Sequence, residues 1–273
     1  MAKENPLASN LTLEQQKNLF GNAYLNMLWH CPTDQRFPYW VHLPDCYYDE
    51  KDPHYKLLVI IRGTGCAVED YVRHAKELAD RDHVAVLAPL FPGGLIQRDD
   101  FNSYKLLSCD GVRYDQILLD MIDDMAKRYP GVETDKFFLF GHSGGGQFAN
   151  RFLFAHPEKL RACAIGAPGR PTFLNPDEDY FWGTRDFKNY FGHDVDLAAV
   201  QKVPVLVIVG ENDTKFIGDS PYGDNRVARM KSLQKNLQDH GVHTELTILP
   251  GFAHEGGEKE RVQAAQHFFE AYL

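Results

Sequence analysis

FLFGHSGGGQFANRF, residues 138–152, passes from an apolar run through a glycine cluster into a helical pattern within fifteen letters. Gly141-His142-Ser143-Gly144-Gly145 fits G-x-S-x-G. Glycine is common enough that this pattern alone arises by chance in about one chain in ten of this length. Its setting makes it informative. A serine between a buried strand and a helix occupies a sharp turn that throws its side chain outward, and the flanking residues must lack bulk. Gly141 and Gly145 would let strand and helix approach closely. Gly144 and Gly145 would leave the helix N-terminus open, where backbone N–H groups face developing negative charge. The competing reading is a glycine-rich helix start with Ser143 as an ordinary N-cap.

The rest of the chain supplies the sheet that such a turn needs. LLVIIRG (57–63), HVAVLAPL (83–90), KFFLFG (136–141), RACAIGAP (161–168) and VPVLVIVG (203–210) are continuous apolar runs, as strands buried on both faces require. PYWVHL (38–43) alternates, and TELTILPG (244–251) is a weaker strand. Helical patterns lie between them at 70–80, 114–128, 145–155, 227–240 and 258–273, with Gly241 as a C′ residue. A further helix is expected over 12–29, with Thr12 as N-cap and Gln15 three residues on, although Gly21 weakens it. Strands alternating with amphipathic helices predict an α/β fold with a mostly parallel central sheet and helices on both faces. No linker divides the chain. Residues 169–202 are long for a connection and rich in Phe173, Tyr180, Phe181, Trp182, Phe187, Tyr190 and Phe191. They are read as a short lid insertion over one end of the sheet. The alternative is an aromatic excursion packed on itself.

A serine needs a base, and the base an acid. In this architecture they follow the ends of later strands, in the order serine, acid, histidine. After VPVLVIVG comes Glu211-Asn212-Asp213-Thr214, and after TELTILPG comes Phe252-Ala253-His254-Glu255. Of twelve histidines, His254 alone follows a late strand on a glycine-flanked loop. Asp213 is the expected acid, with Glu211, Asp219 and Asp224 as rivals. His142 is expected to line the turn or pack beneath it.

The 29 Lys and Arg against 38 Asp and Glu leave a net charge of −9, which argues against nucleic acid or an anionic membrane as partner. Hydrophobic residues make up 44%, enough for a sizeable core. Five widely spaced cysteines include no C-x-x-C pair, so reduced thiols are expected, with Cys66 as packing. MAKENPLASNLTLEQQ lacks the apolar core of a secretory signal, and no run is long enough to span a bilayer. A cytoplasmic location follows as the expectation. The absence of H-x-x-x-H, of a phosphate loop and of a G-x-G-x-x-G opening a helix leaves no cofactor or metal to expect.

LLVIIRGTG, FLFGHSGGG, VIVGENDT and LPGFAHE, in this order, resemble the α/β-hydrolase fold family over residues 37–273, with 1–36 as an N-terminal extension. The look is that of its compact esterase, polyester-depolymerase and dienelactone-hydrolase-like branches. Dienelactone hydrolases carry cysteine at the turn, so Ser143 departs from that branch. The resemblance implies a serine hydrolase with Ser143, Asp213 and His254 as triad, cleaving a carboxylic ester or lactone through an acyl-enzyme. It implies Thr64 and Gly144 as oxyanion donors, because Arg62-Gly63-Thr64-Gly65 stands where many members have H-G. Arg62 in place of histidine is expected to brace loops. The substrate would be a small ester with an apolar or aromatic group, met by His142, Phe173, Tyr180, Phe181 and Trp182, with loop 92–110 as a second wall. An amidase or peptidase with the same triad, or a non-hydrolytic receptor or lyase, remains open, as does an oligomer.

Overall fold

The computed structural model describes residues 11–49, 53–65 and 68–273. Cys66 and the first ten residues lie outside them, so the readings of Cys66 as packing and of the leader-free start are not addressed. The chain runs α1 (Leu13–Phe20), β1 (Leu28–His30), β2 (Pro38–His42), β3 (Tyr55–Ile61), α2 (Val68–Asp82), β4 (Val84–Pro89), the short hairpin β5 (Ser108–Cys109) and β6 (Val112–Arg113), then α3 (Tyr114–Arg128) and β7 (Val132–His142). It continues with α4 (Gly144–Ala155), β8 (Leu160–Gly166), α5 (Phe187–Phe191), α6 (Leu197–Val200), β9 (Val205–Gly210), α7 (Arg226–Asp239), β10 (Thr244–Leu249) and α8 (Glu258–Glu270).

Eight strands form one sheet in the order β1-β2-β4-β3-β7-β8-β9-β10. β1, β2 and β4 pair antiparallel, and every other neighbouring pair is parallel. The period-2 alternation of side chains sorts the apolar runs into two cores. Leu57, Val59 and Ile61 face the core shared with α3, α4 and α7, whereas Leu58 and Ile60 face the one shared with α2 and α8. β7 does the same with Phe137 and Leu139 on one side, Phe138 and Phe140 on the other. This two-sided burial is why these strands read as unbroken apolar runs.

The expected helix over 12–29 stops early. Thr12 and Gln15 form the capping box, but Gly21 takes φ 55° and ends α1. A 3₁₀ turn follows, and Leu28–His30 pairs with β2. The sequence boundary at residue 37 therefore falls inside the sheet. Residues 169–202 lie between β8 and β9 and contain α5 and α6. Phe187, Phe191 and Tyr180 are buried there, and the Tyr180 hydroxyl donates to the Leu106 carbonyl at 2.6 Å.

The glycines of the turn allow three close approaches. A Cβ on Gly141 would lie far inside van der Waals contact of the Gly145 carbonyl, one on Gly145 inside that of Ile61, and one on Gly146 inside that of Gly166. These obstacles are backbone and cannot rotate away. Gly145→Ala is therefore expected to destabilise the protein by at least about 1–3 kcal/mol, the usual cost of overpacking. Urea unfolding checks this, and a variant as stable as the parent would contradict the packing described.

Candidate active site

Strand β7 ends at His142, and Ser143 turns the chain into α4 with φ 56° and ψ −112°. Such a positive φ is strained for a residue bearing a Cβ. The strain is held in place because the Ser143 amide donates to the Gly166 carbonyl of β8 at 2.8 Å. Ser143 is the N-cap of α4, yet its side chain makes no capping bond. Its Oγ instead lies 2.9 Å from His254 Nε2. The simple capping role is thereby excluded.

His254 follows β10, and its Nδ1 lies 2.7 Å from Asp213 Oδ2. Asp213 follows β9, where its amide closes a turn onto the Gly210 carbonyl at 3.1 Å. Its carboxylate is fully buried, and the second oxygen accepts from Arg226 Nη1 at 3.3 Å. Buried carboxylates need partners on both oxygens, and Asp213 has them. The rivals do other work. Glu211 accepts from the Gly251 amide at 2.9 Å, Asp224 accepts from the Asn225 side chain, and Asp219 is exposed. With neutral imidazole, this geometry places the Nδ1 proton toward Asp213 and leaves Nε2 to accept from Ser143.

Two residues that the sequence did not single out hold this line. Arg261, buried on α8, donates from Nη2 to the carbonyls of Ala253 at 2.7 Å and His254 at 3.1 Å, and from Nη1 to that of Gly256. It clamps the histidine loop to α8. Arg226 begins α7 directly after the Asn225 N-cap. Neither carries a sequence signal beyond a charge on a helix, which most often marks a solvated face.

His142 lies behind His254, with ring centroids 5.0 Å apart, and its Nε2 sits 3.3 Å from the His254 carbonyl. It is buried, and burial pushes its pKa well below the usual histidine range, with Arg261 and His254 adding repulsion. It is a neutral support beneath the site, not a surface offered to substrate.

Thr64 lies against Gly144. A Cβ on Gly144 would stand 3.0 Å from Thr64 Oγ1 and 2.6 Å from Lys105 Cε. As the first residue of α4, Gly144 has an amide with no intrahelical acceptor. Arg62 braces this loop through carbonyls of Gly63 and Thr64, both at 3.0 Å, and of Phe91.

The aromatics of 169–202 divide differently from expectation. Phe181 lines the cavity beside the site. Phe173 is buried and stacked on Tyr222, Trp182 stacks on the same ring, and Tyr180 packs among Phe187, Tyr190 and Phe191. Tyr180 thus helps to form a small core within the segment, whereas Phe173 and Trp182 fasten it to Tyr222 beyond it, because a segment this long must bury apolar surface to hold a shape. Loop 92–110 does contribute a wall, through Asn102, Lys105 and Leu106. Among the described residues no group of three or more His, Cys, Asp or Glu is arranged to hold a metal ion, and no helix is long and apolar enough to cross a membrane.

Comparison with curated proteins finds no match. Solved structures share the fold at low identity. Poly(aspartic acid) hydrolase-1 from Sphingomonas sp. KT-1 superposes with a TM-score of 0.71 at 19% identity, covering 89% of this chain and 96% of its own. The LpqC poly(3-hydroxybutyrate) depolymerase from Bordetella parapertussis gives 0.69 at 18%, covering 98% and 97%. The siderophore hydrolase EstA from Aspergillus nidulans gives 0.61 at 16%, covering 92% and 96%. The dienelactone hydrolase family model matches residues 43–271. The serine at the turn does not take the chain out of that branch, since the match takes in six of the eight strands of the sheet and the helices α2 to α8. The chain belongs to the dienelactone hydrolase family and is a hydrolase acting on ester bonds.

Proposed function

We propose that this ester hydrolase works through an acyl-enzyme on Ser143, with His254 as base and Asp213 as the acid that orients it. The observation that carries the reading is the unbroken line of 2.9 Å and 2.7 Å contacts from Ser143 Oγ through His254 to Asp213. Ser143 Oγ attacks the ester carbonyl carbon while its proton passes to His254 Nε2. Asp213 keeps the imidazole in the required tautomer and stabilises the imidazolium. The amides of Thr64 and Gly144 receive the oxyanion, at roughly 3–4 kcal/mol per donor. His254 then protonates the leaving alkoxide, and water, activated by the same histidine, releases the acid.

Residues 169–202 act in this reading as a cap over the site, within one hydrolase domain. The free thiols of Cys31, Cys46, Cys109 and Cys163 are in keeping with a reducing compartment and so with the cytoplasm. The apolar part of the substrate would enter the cavity that Thr64 lines together with Leu28, Trp40, Val68, Leu90 and Phe101, beside Arg62 and Glu69.

Matched ester and amide substrates test the reading. Short-chain p-nitrophenyl esters are expected to turn over and the corresponding anilides to resist by orders of magnitude. A faster amide would favour a peptidase. Binding without turnover of any ester would favour a receptor.

A further inference from the structure

The cavity of about 510 Å³ that Thr64 lines is carried by four neighbouring strands, β3, β4, β2 and β1. Side chains alternate along a strand, so residues two apart share a face. Ile60 and Ala88 face α2, and two residues beyond them stand Arg62, after β3, and Leu90, after β4. Trp40 of β2 pairs with Ala88, and Leu28 of β1 pairs with Trp40, which puts both side chains on that same face. From Thr64 to Leu28 the lining therefore crosses three strand spacings, about 14 Å. Val68 and Glu69, at the start of α2, and Gly93 and Phe101, from the loop after β4, complete the wall.

This trough is apolar and half open. Leu28 and Phe101 are 47% and 49% exposed. Single apolar side chains in water are ordinary, but two on one cavity beside a reactive serine point to a ligand that covers them. Arg62 directs both Nη groups to the carbonyls of Gly63, Thr64 and Phe91, and Glu69 is exposed to water. Most of what remains is aliphatic and aromatic carbon.

The order of the strands says which half of an ester lies there. Ser143 follows β7. Asp213 and His254 follow β9 and β10 on one side of it, and the trough lies over β3 to β1 on the other. The leaving oxygen must come within reach of His254 Nε2, which protonates it. The alcohol half therefore departs toward the histidine, and the acyl half extends past Thr64.

We propose that this enzyme cleaves esters of linear, uncharged acyl chains of medium length, with the chain laid along the trough and its end against Leu28. The inference rests on Ser143 as nucleophile and adds to it the shape of the acyl group. An aromatic ring fills only the first part of a trough three strands long, whereas an extended chain covers it. Each methylene withdrawn from water favours binding, and the chain also covers Leu28 and Phe101. The N-terminal extension, whose β1 joins the sheet, thus supplies the residue on which chain length is read.

A pair of isomers tests the orientation and a series of esters tests the length. Ethyl octanoate and octyl acetate have the same atoms, with the long chain on opposite sides of the ester. Ethyl octanoate is expected to exceed octyl acetate in kcat/KM by about tenfold, less than the full gain of about threefold per methylene because the trough is half open. From p-nitrophenyl acetate through butanoate and hexanoate to octanoate, kcat/KM is expected to rise. Leu28→Asp, which sets a carboxylate at the chain end, is expected to lower the octanoate-to-butanoate ratio by about tenfold, and Phe101→Ala by about threefold. Both side chains are about half exposed, and a ratio does not depend on how much enzyme is folded. An isomer ratio of one or less, a series that is flat or falls, or an octanoate-to-butanoate ratio unchanged in both variants would overturn the inference. Turnover of p-nitrophenyl acetate separates the two failures. If it persists without any preference for chain, only the acyl trough falls. If it is absent and Ser143 is unreactive, the nucleophile assignment falls with it.

Discussion

Ser143→Ala lowers kcat for a carboxylic ester by about a million-fold, the loss seen when a serine nucleophile held by a histidine is removed. The change deletes one oxygen, at a partly exposed position whose φ of 56° alanine tolerates about as well as serine. The Ser143 amide still donates to Gly166, and the glycine contacts of α4 are untouched. The variant therefore unfolds at nearly the parental temperature, and the loss is chemical. His254→Ala falls to a similar floor, because the two act as a unit and their effects do not add. The double variant is expected to be no slower than either single one. In the proposed mechanism the Thr64 and Gly144 amides leave residual catalysis in all three. Stopped or steady-state kinetics on one ester checks the series. A Ser143→Ala enzyme within tenfold of the parent would remove the serine from the mechanism.

Asp213→Asn costs about 10⁴-fold in kcat, for a different reason. The amide keeps the size of the carboxylate and leaves room for a contact with His254 Nδ1. It offers an N–H where the imidazole also presents one, or forces the ring into the tautomer whose Nε2 carries the proton. That nitrogen can then no longer accept from Ser143. The imidazolium formed during attack also loses its buried counter-charge, and Arg226, at 3.3 Å, is left facing a neutral group. The effect should appear in kcat with KM little changed, since Asp213 is fully buried and cannot meet substrate. Glu211→Gln is the matching control. Its carboxylate serves the Gly251 amide, so activity is expected to stay within a few-fold. A larger loss from Glu211→Gln than from Asp213→Asn would exchange the two assignments.

The parallel strands were legible because each is buried on both faces, and a run such as LLVII admits few other readings. The elbow was legible because its glycines are required by sterics, and the contacts of Gly141, Gly145 and Gly146 with neighbouring backbone show why. The order of Ser143, Asp213 and His254 followed from where strands end. Elsewhere local pattern failed. Phe20, Tyr24 and Leu28 keep a helical spacing beyond the end of α1, but Gly21 at positive φ and the 3₁₀ turn that it opens lead the chain to the strand at Leu28. Strands of two residues and helices of four or five, such as β5 and α6, are too short for any period to register. The aromatics of 169–202 were visible as composition, but composition does not say which way a ring points. Phe173 is buried and turns to Tyr222. The basic lining of the cavity beside the site was illegible for a further reason. Lys105, Arg151, Arg170 and Arg229 are scattered along the sequence, in a chain that is acidic as a whole. Only the fold gathers them.

One measurement bears most directly on the reactive serine. The folded protein is treated with a fluorophosphonate, and the modified peptide is located by mass spectrometry. The reagent phosphonylates a serine whose proton a neighbouring histidine can take, so it reads out the Ser143–His254 contact itself. A single label on Ser143, absent in Ser143→Ala and much slowed in His254→Ala, is the predicted result. A label on another residue, or an unlabelled Ser143 in a folded protein that still turns over esters, would contradict the account.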